Sequence, residues 1–285
     1  MQVSPDDLQS VLDYCPNIED FEAHEMYPSK RLFPSLASRS NLRHGFFSNR
    51  DPSPLSSVSP INLSLFTNLR TLYIVAVALI GQLPAILPRL AVLVLQYDGS
   101  SSNYYEHVAE WTLPSLRVLV CQTINTPSLH ALCEAFAKTL EVLEVIQYDS
   151  WLITSATLNM PMLKQFVVDW IPPFPGYTPR FTLSRHFHSL PSLTVVHINN
   201  LDRALKQTLA IIVAPEVEDV VAMLSPLAPQ LKTLYIGARI EDLTGGALER
   251  CLTAKLAAGW VLRGRDGIWK VAGDGQLMLE EPVTA

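Results

Sequence analysis

Apolar residues recur along this chain in a six-residue pattern, apolar-x-x-apolar-x-apolar. Leu69-Arg70-Thr71-Leu72-Tyr73-Ile74 returns as Leu231-Lys232-Thr233-Leu234-Tyr235-Ile236 with a single conservative change. Between them lie Leu90-Ala91-Val92-Leu93-Val94-Leu95, Leu116-Arg117-Val118-Leu119-Val120-Cys121 and Leu140-Glu141-Val142-Leu143-Glu144-Val145. Leu163-Lys164-Gln165-Phe166-Val167-Val168 and Leu193-Thr194-Val195-Val196-His197-Ile198 complete the series. The second half of each copy alternates apolar and outward positions, the period of a strand with one face buried. The first apolar position runs through Ile18, Leu42, Leu69, Leu90, Leu116, Leu140, Leu163, Leu193 and Leu231, at intervals of 24, 27, 21, 26, 24, 23, 30 and 38 residues. Such intervals leave the dozen or so residues that a crossover between parallel strands needs.

The segments between strands carry helix signals. Ser4-Pro5-Asp6-Asp7 offers a capping hydroxyl, a proline at the first helical position and two acids at the positive end of the dipole, ahead of Leu8, Val11 and Leu12. Ser128 precedes Leu129, Leu132, Cys133 and Phe136, and Pro215 precedes Val217, Val220, Val221 and Leu224, each a single apolar stripe. The lead-ins repeat too: Leu113-Pro114-Ser115-Leu116 matches Leu190-Pro191-Ser192-Leu193.

One short strand plus a return segment every 20 to 29 residues or so is the signature of a leucine-rich repeat. The expected fold is therefore α/β: a leucine-rich-repeat solenoid with a curved parallel sheet on its concave face, helices and loops on its convex face, and a C-terminal β-hairpin cap. The solenoid is expected over residues 1–258 and the hairpin and tail over 259–285. Gly259 stops the run from Ala247 to Leu256, and Trp260-Val261-Leu262-Arg263 and Ile268-Trp269-Lys270-Val271 flank an Asp266-Gly267 turn. Such a hairpin would cover the open edge of the last parallel strand, with its two tryptophans in a capping role.

Three stretches depart from the pattern. Residues 48 to 60 are rich in serine and proline and predict a loop. Ile171 to Pro179 sets Phe174 and Tyr177 among prolines, either as a stiff loop folded back on the sheet or as a protruding binding loop. Between Asn200 and Pro229 the register is lost, with Thr208 to Val213 a candidate strand outside the leucine pattern.

A formal charge of −6 argues against a general nucleic-acid binder, which needs an excess of lysine and arginine to displace counterions. Seven acids from Asp6 to Glu25 precede the first base, and Lys30, Arg31, Arg39, Arg43 and Arg50 then follow without an acid. These are either solvated repeats of opposite sign or two patches that orient a partner. The first residues are acidic and lack the basic start and apolar stretch of a secretory signal, so a cytoplasmic or nuclear location is expected. Thr71 to Pro88 is uncharged but holds Gly81, Gln82, Pro84 and Pro88, and two consecutive repeats explain it better than a membrane span. Cys15, Cys121, Cys133 and Cys251 are widely spread with no Cys-x-x-Cys pair and read as reduced core thiols.

Catalytic signatures do not occur: there is no Gly-x-Ser-x-Gly elbow, no Walker-type loop and no Gly-x-Gly-x-x-Gly. His186, His188 and His197 form the nearest metal-like grouping and read as surface or capping histidines, and His107 with Glu110 as a solvated pair on one helix turn. No enzymatic activity, cofactor or metal is expected. The informative residues lie between the last two apolar positions of each copy, because there the side chain points away from the core and successive strands align into a column. That column reads Glu22, Tyr73, Val94, Val120, Glu144, Val167, His197 and Tyr235, flanked by Arg70, Arg117, Lys164 and Lys232. Tyrosine and arginine are favoured binding anchors. Tyr73, Arg117, Glu144, Lys164, His197 and Tyr235 are the expected protein-binding residues. The valines of the column are either covered by neighbouring loops or simple β-formers.

With its irregular repeats, its Leu-Pro-x-Leu lead-ins and the unit Cys15-Pro16-Asn17-Ile18-Glu19-Asp20-Phe21-Glu22, the chain resembles the leucine-rich-repeat region of fungal F-box proteins. That resemblance covers most of the chain. It implies substrate or partner recognition for a ubiquitin ligase, with an F-box ahead of the repeats docking on the Skp1 adaptor. No F-box is recognisable after Leu8, Val11 and Leu12, so the adaptor is an expected partner only if an F-box lies upstream of Met1. The chain also lacks the asparagine that many such repeats place after the strand, holding Met26, Val77, Asp98, Ile124, Tyr148, Ile171, Leu201 and Arg239 instead. A free-standing scaffold or inhibitor without a ubiquitin connection is the other reading.

Overall fold

A computed structural model of the chain describes residues 14–15, 17–24, 41–48, 63–75, 84–96, 104–122, 126–146, 158–169, 187–199, 221–222, 224–239 and 246–280. The chain divides into two compact units, Met1–Gln122 and Thr123–Ala285, so residues 259–285 belong to the second unit. The fold is α/β, with mostly parallel strands and few helices among the described residues.

In the first unit β1 (Asp20–His24), β2 (His44–Ser48), β3 (Thr71–Val75), β4 (Val92–Gln96) and β5 (Val118–Gln122) pair in chain order, every pair parallel. Leu72 lies opposite Leu93 and Leu93 opposite Leu119, while Ile74, Leu95 and Cys121 make the next row. All six are essentially inaccessible to solvent, as the alternating pattern predicts. The crossover from β4 to β5 includes α1 (Tyr104–Ala109), which buries Tyr105 and Val108. Its Tyr105 hydroxyl donates to the Gln122 carbonyl at the end of β5 (2.6 Å).

The second unit opens with α2 (Thr126–Phe136), which buries the stripe Leu132, Cys133 and Phe136. Then come β6 (Val142–Ile146), β7 (Leu158–Asn159), β8 (Gln165–Asp169), β9 (Phe187–Ser189), β10 (Val195–Asn199) and β11 (Thr233–Ile236). After α3 (Ala247–Ala257), β12 (Val261–Arg263), β13 (Ile268–Val271) and β14 (Leu277–Leu279) end the described chain. Strands β6, β8, β10, β11 and β12 are consecutive parallel neighbours, and β12, β13 and β14 are antiparallel. Leu143, Phe166, Val196, Leu234 and Leu262 form one buried row across the parallel run. Strands β7 and β9 pair separately, setting Phe187 edge-on to Phe166 at 5.6 Å between ring centres.

The lead-ins to β3, β4, β5, β8, β10 and β11 are tight turns, each closed by a bond from residue i+3 to residue i. Leu69 donates to the Phe66 carbonyl, Leu90 to Leu87, Leu116 to Leu113, Leu163 to Met160, Leu193 to Leu190 and Leu231 to Ala228, at 3.0 to 3.3 Å. Proline fills the second position in five of the six, Pro88, Pro114, Pro161, Pro191 and Pro229, where its fixed φ is already that of the turn. Both ends of every turn are buried. In six copies the residue after the leading leucine offers its carbonyl to two successive amides at the start of the next strand. Arg43 O accepts from Arg70 and Thr71, Arg70 O from Ala91 and Val92, and Ala91 O from Arg117 and Val118. In the second unit Glu141 O, Lys164 O and Thr194 O do the same for Lys164 and Gln165, Thr194 and Val195, and Lys232 and Thr233. Of the positions where an asparagine was missed only Arg239 is described, and it is exposed.

At the C-terminal end the expected hairpin forms, with Gly259 at φ 85° ending α3 and Gly267 at φ 146° in the turn. Strand β12 prolongs the parallel run beyond β11, and β14 adds an unexpected third strand. Trp269 is buried, its indole N–H donating to Asp266 Oδ1 (2.9 Å), while the half-buried Trp260 ring carries the Lys255 ammonium 5.1 Å above its centre. Gly264 is required beside Trp269, since a methyl group there would overlap the indole. Helix α3 is tied to β14 through Glu249 Oε1, which accepts the Leu277 amide (3.3 Å).

Two of the four cysteines differ from the expectation of core thiols. Cys121 and Cys133 are buried, but Cys15 is exposed and Cys251 partly so; all four are free. Burial pushes the Cys133 thiol up to about 12, which keeps it protonated and unreactive. No helix of the described residues is long and apolar enough to cross a membrane, and Thr71 to Pro88 begins as β3. From the Pro215 segment, residues 221–222 and 224–227 are helical with Val221 and Leu224 buried. The Ser4 helix, the Thr208 to Val213 strand and all but Ser48 of the loop over residues 48 to 60 lie outside the described residues.

Leu72 and Tyr73 are adjacent but face opposite sides, which gives a direct test of the register. Leu72→Ala should cost about 2–5 kcal/mol in urea unfolding, and Tyr73→Ala under about 1.5 kcal/mol. Equal losses would contradict the register.

Candidate functional site

The column predicted to face away from the core is present in each unit. In the first unit it reads Glu22, Phe46, Tyr73, Val94 and Val120, each directly opposite the next. In the second it reads Glu144, Val167, His197, Tyr235 and Arg263. The valines separate: Val94 and Val167 are buried at 5% and 7% exposure and offer little to a partner, whereas Val120 is part-exposed.

Two members escaped the sequence reading. Phe46 follows Leu42 at the same offset as Tyr73 follows Leu69, but Gly45 stands where a leucine belongs and makes that copy of the repeat look weak. The space is filled from the side: a Cβ on Gly45 would lie 3.1 Å from the Phe47 ring, which itself packs 6.1 Å from Phe21. Arg263 was assigned to the hairpin, yet its strand joins β11 in parallel and sets it opposite Tyr235. Trp260 is followed by alternating Val261, Leu262 and Arg263, a period of two that continues the column by one strand.

Aromatic rings pair on both faces. Phe46 and Tyr73 lie 6.1 Å apart at 36°, and His197 and Tyr235 lie 5.2 Å apart at 33°. Tyr73 is 39% exposed, one of nine exposed large hydrophobic side chains among the described residues. Of the other predicted residues, Arg117 is exposed and Glu144 part-exposed. Lys164 is exposed too, but its ammonium sits 2.7 Å from Glu141 Oε2, so its charge is balanced locally. Arg43 and Glu19 form the equivalent pair in the first unit (3.5 Å). Phe174, Tyr177 and His186 lie outside the described residues. His188 lies on β9, in the separate two-stranded sheet, and His197 on β10, so these two histidines belong to different sheets. His107 and Glu110 are exposed, joined by a backbone bond at the end of α1.

In the second unit the face deepens into an open cleft of about 710 Å³ over β10, β11 and β12, walled by the turn Gly264–Gly267. The turn is closed by the Gly264 amide on the Gly267 carbonyl (2.7 Å) and anchored by the Arg265 amide on the Ala238 carbonyl (2.9 Å). His197 lies in the floor, its pKa lowered from the ordinary 6.5 by partial burial first and by the Arg263 charge second. At neutral pH it is a neutral imidazole with one donor and one acceptor. The cleft thus joins two rings, a guanidinium and apolar floor atoms, which suits non-covalent recognition.

No protein-family model matches the chain, and no curated protein sequence matches it significantly.

The lowered His197 pKa makes a pH prediction. Between its folded value and 6.5 the unfolded chain binds more protons, so stability rises with pH there and is lost as pH falls through 6.5. In thermal melts His197→Gln should lose less Tm than the parent between about pH 7.5 and pH 5. Identical losses would mean that His197 does not feel burial or Arg263.

Proposed function

We propose that the chain is a protein-recognition module of the leucine-rich-repeat class, using its outward strand columns to hold a partner, as substrate receptors of F-box ubiquitin ligases do. The observation that supports this reading best is the common register. Every strand from β1 to β5, and from β6 through β8, β10 and β11 to β12, presents its column residue at the same height, and from β2 onward that residue stands between two buried positions. Side chains fixed in this way form a pre-ordered surface, which reduces the entropy lost on binding. Aromatic rings at Phe46, Tyr73 and Tyr235 are of the kind that dominate interface energetics. The lead-in turns, the strand spacing and the helical returns α1 and α2 all fit a leucine-rich repeat, and the fungal F-box resemblance supplies the ligase connection. We place the module in the cytoplasm or nucleus.

Partner capture by the full chain tests this reading. The double variant Tyr73→Ala, Tyr235→Ala should bind its captured partner at least about tenfold more weakly while melting cooperatively. Undiminished capture would remove the strand columns as the binding surface. Co-purification of the Skp1 adaptor with the natural gene product would support the ligase connection, and its absence would leave a free-standing scaffold.

A further inference from the structure

The lining of the cleft over β10, β11 and β12 carries more cations than carboxylates. It contributes two cations, Arg263 and Arg265, against one carboxylate, Asp266, in a protein of net charge −6. Asp266 is committed elsewhere, since its Oδ1 accepts the buried Trp269 indole N–H. Arg263 is exposed, and among the described residues no carboxylate lies within ion-pair distance of it. Its guanidinium presents a fork of donors suited to a carboxylate. Beside it the floor is made of the His197–Tyr235 ring pair and Ile268, which is 39% exposed.

We propose that this cleft receives an acidic peptide segment of a partner protein, one carboxylate side chain on Arg263 and an adjoining apolar side chain over the rings and Ile268. The proposal deepens the partner-binding reading and rests on it. Charge complementarity selects the occupant: the cationic lining, with the Arg263 fork at its edge, accepts a carboxylate, and the open cleft beside the turn admits an extended segment. A free inorganic anion would engage the guanidinium and leave the rings and Ile268 uncovered.

The test uses the full chain and a fluorescein-labelled octapeptide of alternating glutamate and leucine, with a glutamine–leucine octapeptide as its neutral counterpart, read by anisotropy. The acidic probe should bind about tenfold or more tightly than the neutral one, and the preference should shrink as salt rises. Arg263→Gln should abolish most of that preference, Arg263→Lys should keep part of it, and Lys138→Gln, on an exposed residue beyond α2, should leave it unchanged. Equal binding of the two probes, or a preference that survives Arg263→Gln, overturns the proposal. Displacement of the acidic probe by inorganic phosphate at equal concentration overturns it in favour of a simple anion site. Tyr73→Ala lies outside the cleft and separates the two readings. If it weakens partner capture while the probe preference is absent from the parent, this proposal fails and the partner-binding reading stands.

Discussion

The parallel strands of both units share one repeated backbone arrangement: a carbonyl just after the leading leucine that accepts two amides from the following strand, in several copies at the end of a buried turn. A buried carbonyl or amide without a partner is costly, so the turn must be followed by another strand at a fixed height and in parallel. That requirement puts Leu72, Leu93 and Leu119 in one row and Leu143, Phe166, Val196, Leu234 and Leu262 in another. The alternation of a strand then leaves Tyr73, His197 and Tyr235 on the outer side. Fold and surface are consequences of the same bonds, and proline in the turn lowers the entropy lost in making them.

Much of this was legible in the sequence because period-two alternation and a recurring interval are strong signals that local chemistry does not obscure. The strands at Thr71, Val92, Val118, Val142, Gln165, Val195 and Thr233 all begin two residues after the predicted leucine. The turn residues were legible as repeated Leu-Pro-Ser-Leu motifs, although their closing bonds were not. The column of outward residues followed from the alternation alone.

What the sequence hid was set by substitutions that only packing explains. Gly45 replaces a leucine because the Phe47 ring fills that volume, and Phe46 was lost from the column with it. Arg263 was obscured by its neighbour: Asp266-Gly267 is a strong hairpin signal, and it drew the whole segment into a cap although β12 belongs to the parallel run. Val94 and Val167 have the outward spacing yet are buried, because alternation fixes direction and not what lies above a side chain. The cleft itself depends on Gly264 giving way to Trp269, a contact between residues whose partnership no spacing rule encodes.

The separation of buried and outward positions within a single strand has an evolutionary consequence. Leu72 and Ile74 carry the packing, while the Tyr73 side chain between them is 39% exposed. An open column residue such as Tyr73 can therefore change in identity without disturbing its neighbours' burial, and every column strand but those of Val94 and Val167 contributes one that is not buried. Mutation can rewrite the outer surface one position at a time while selection on stability acts on the other side, so a new specificity is reachable through a series of folded intermediates.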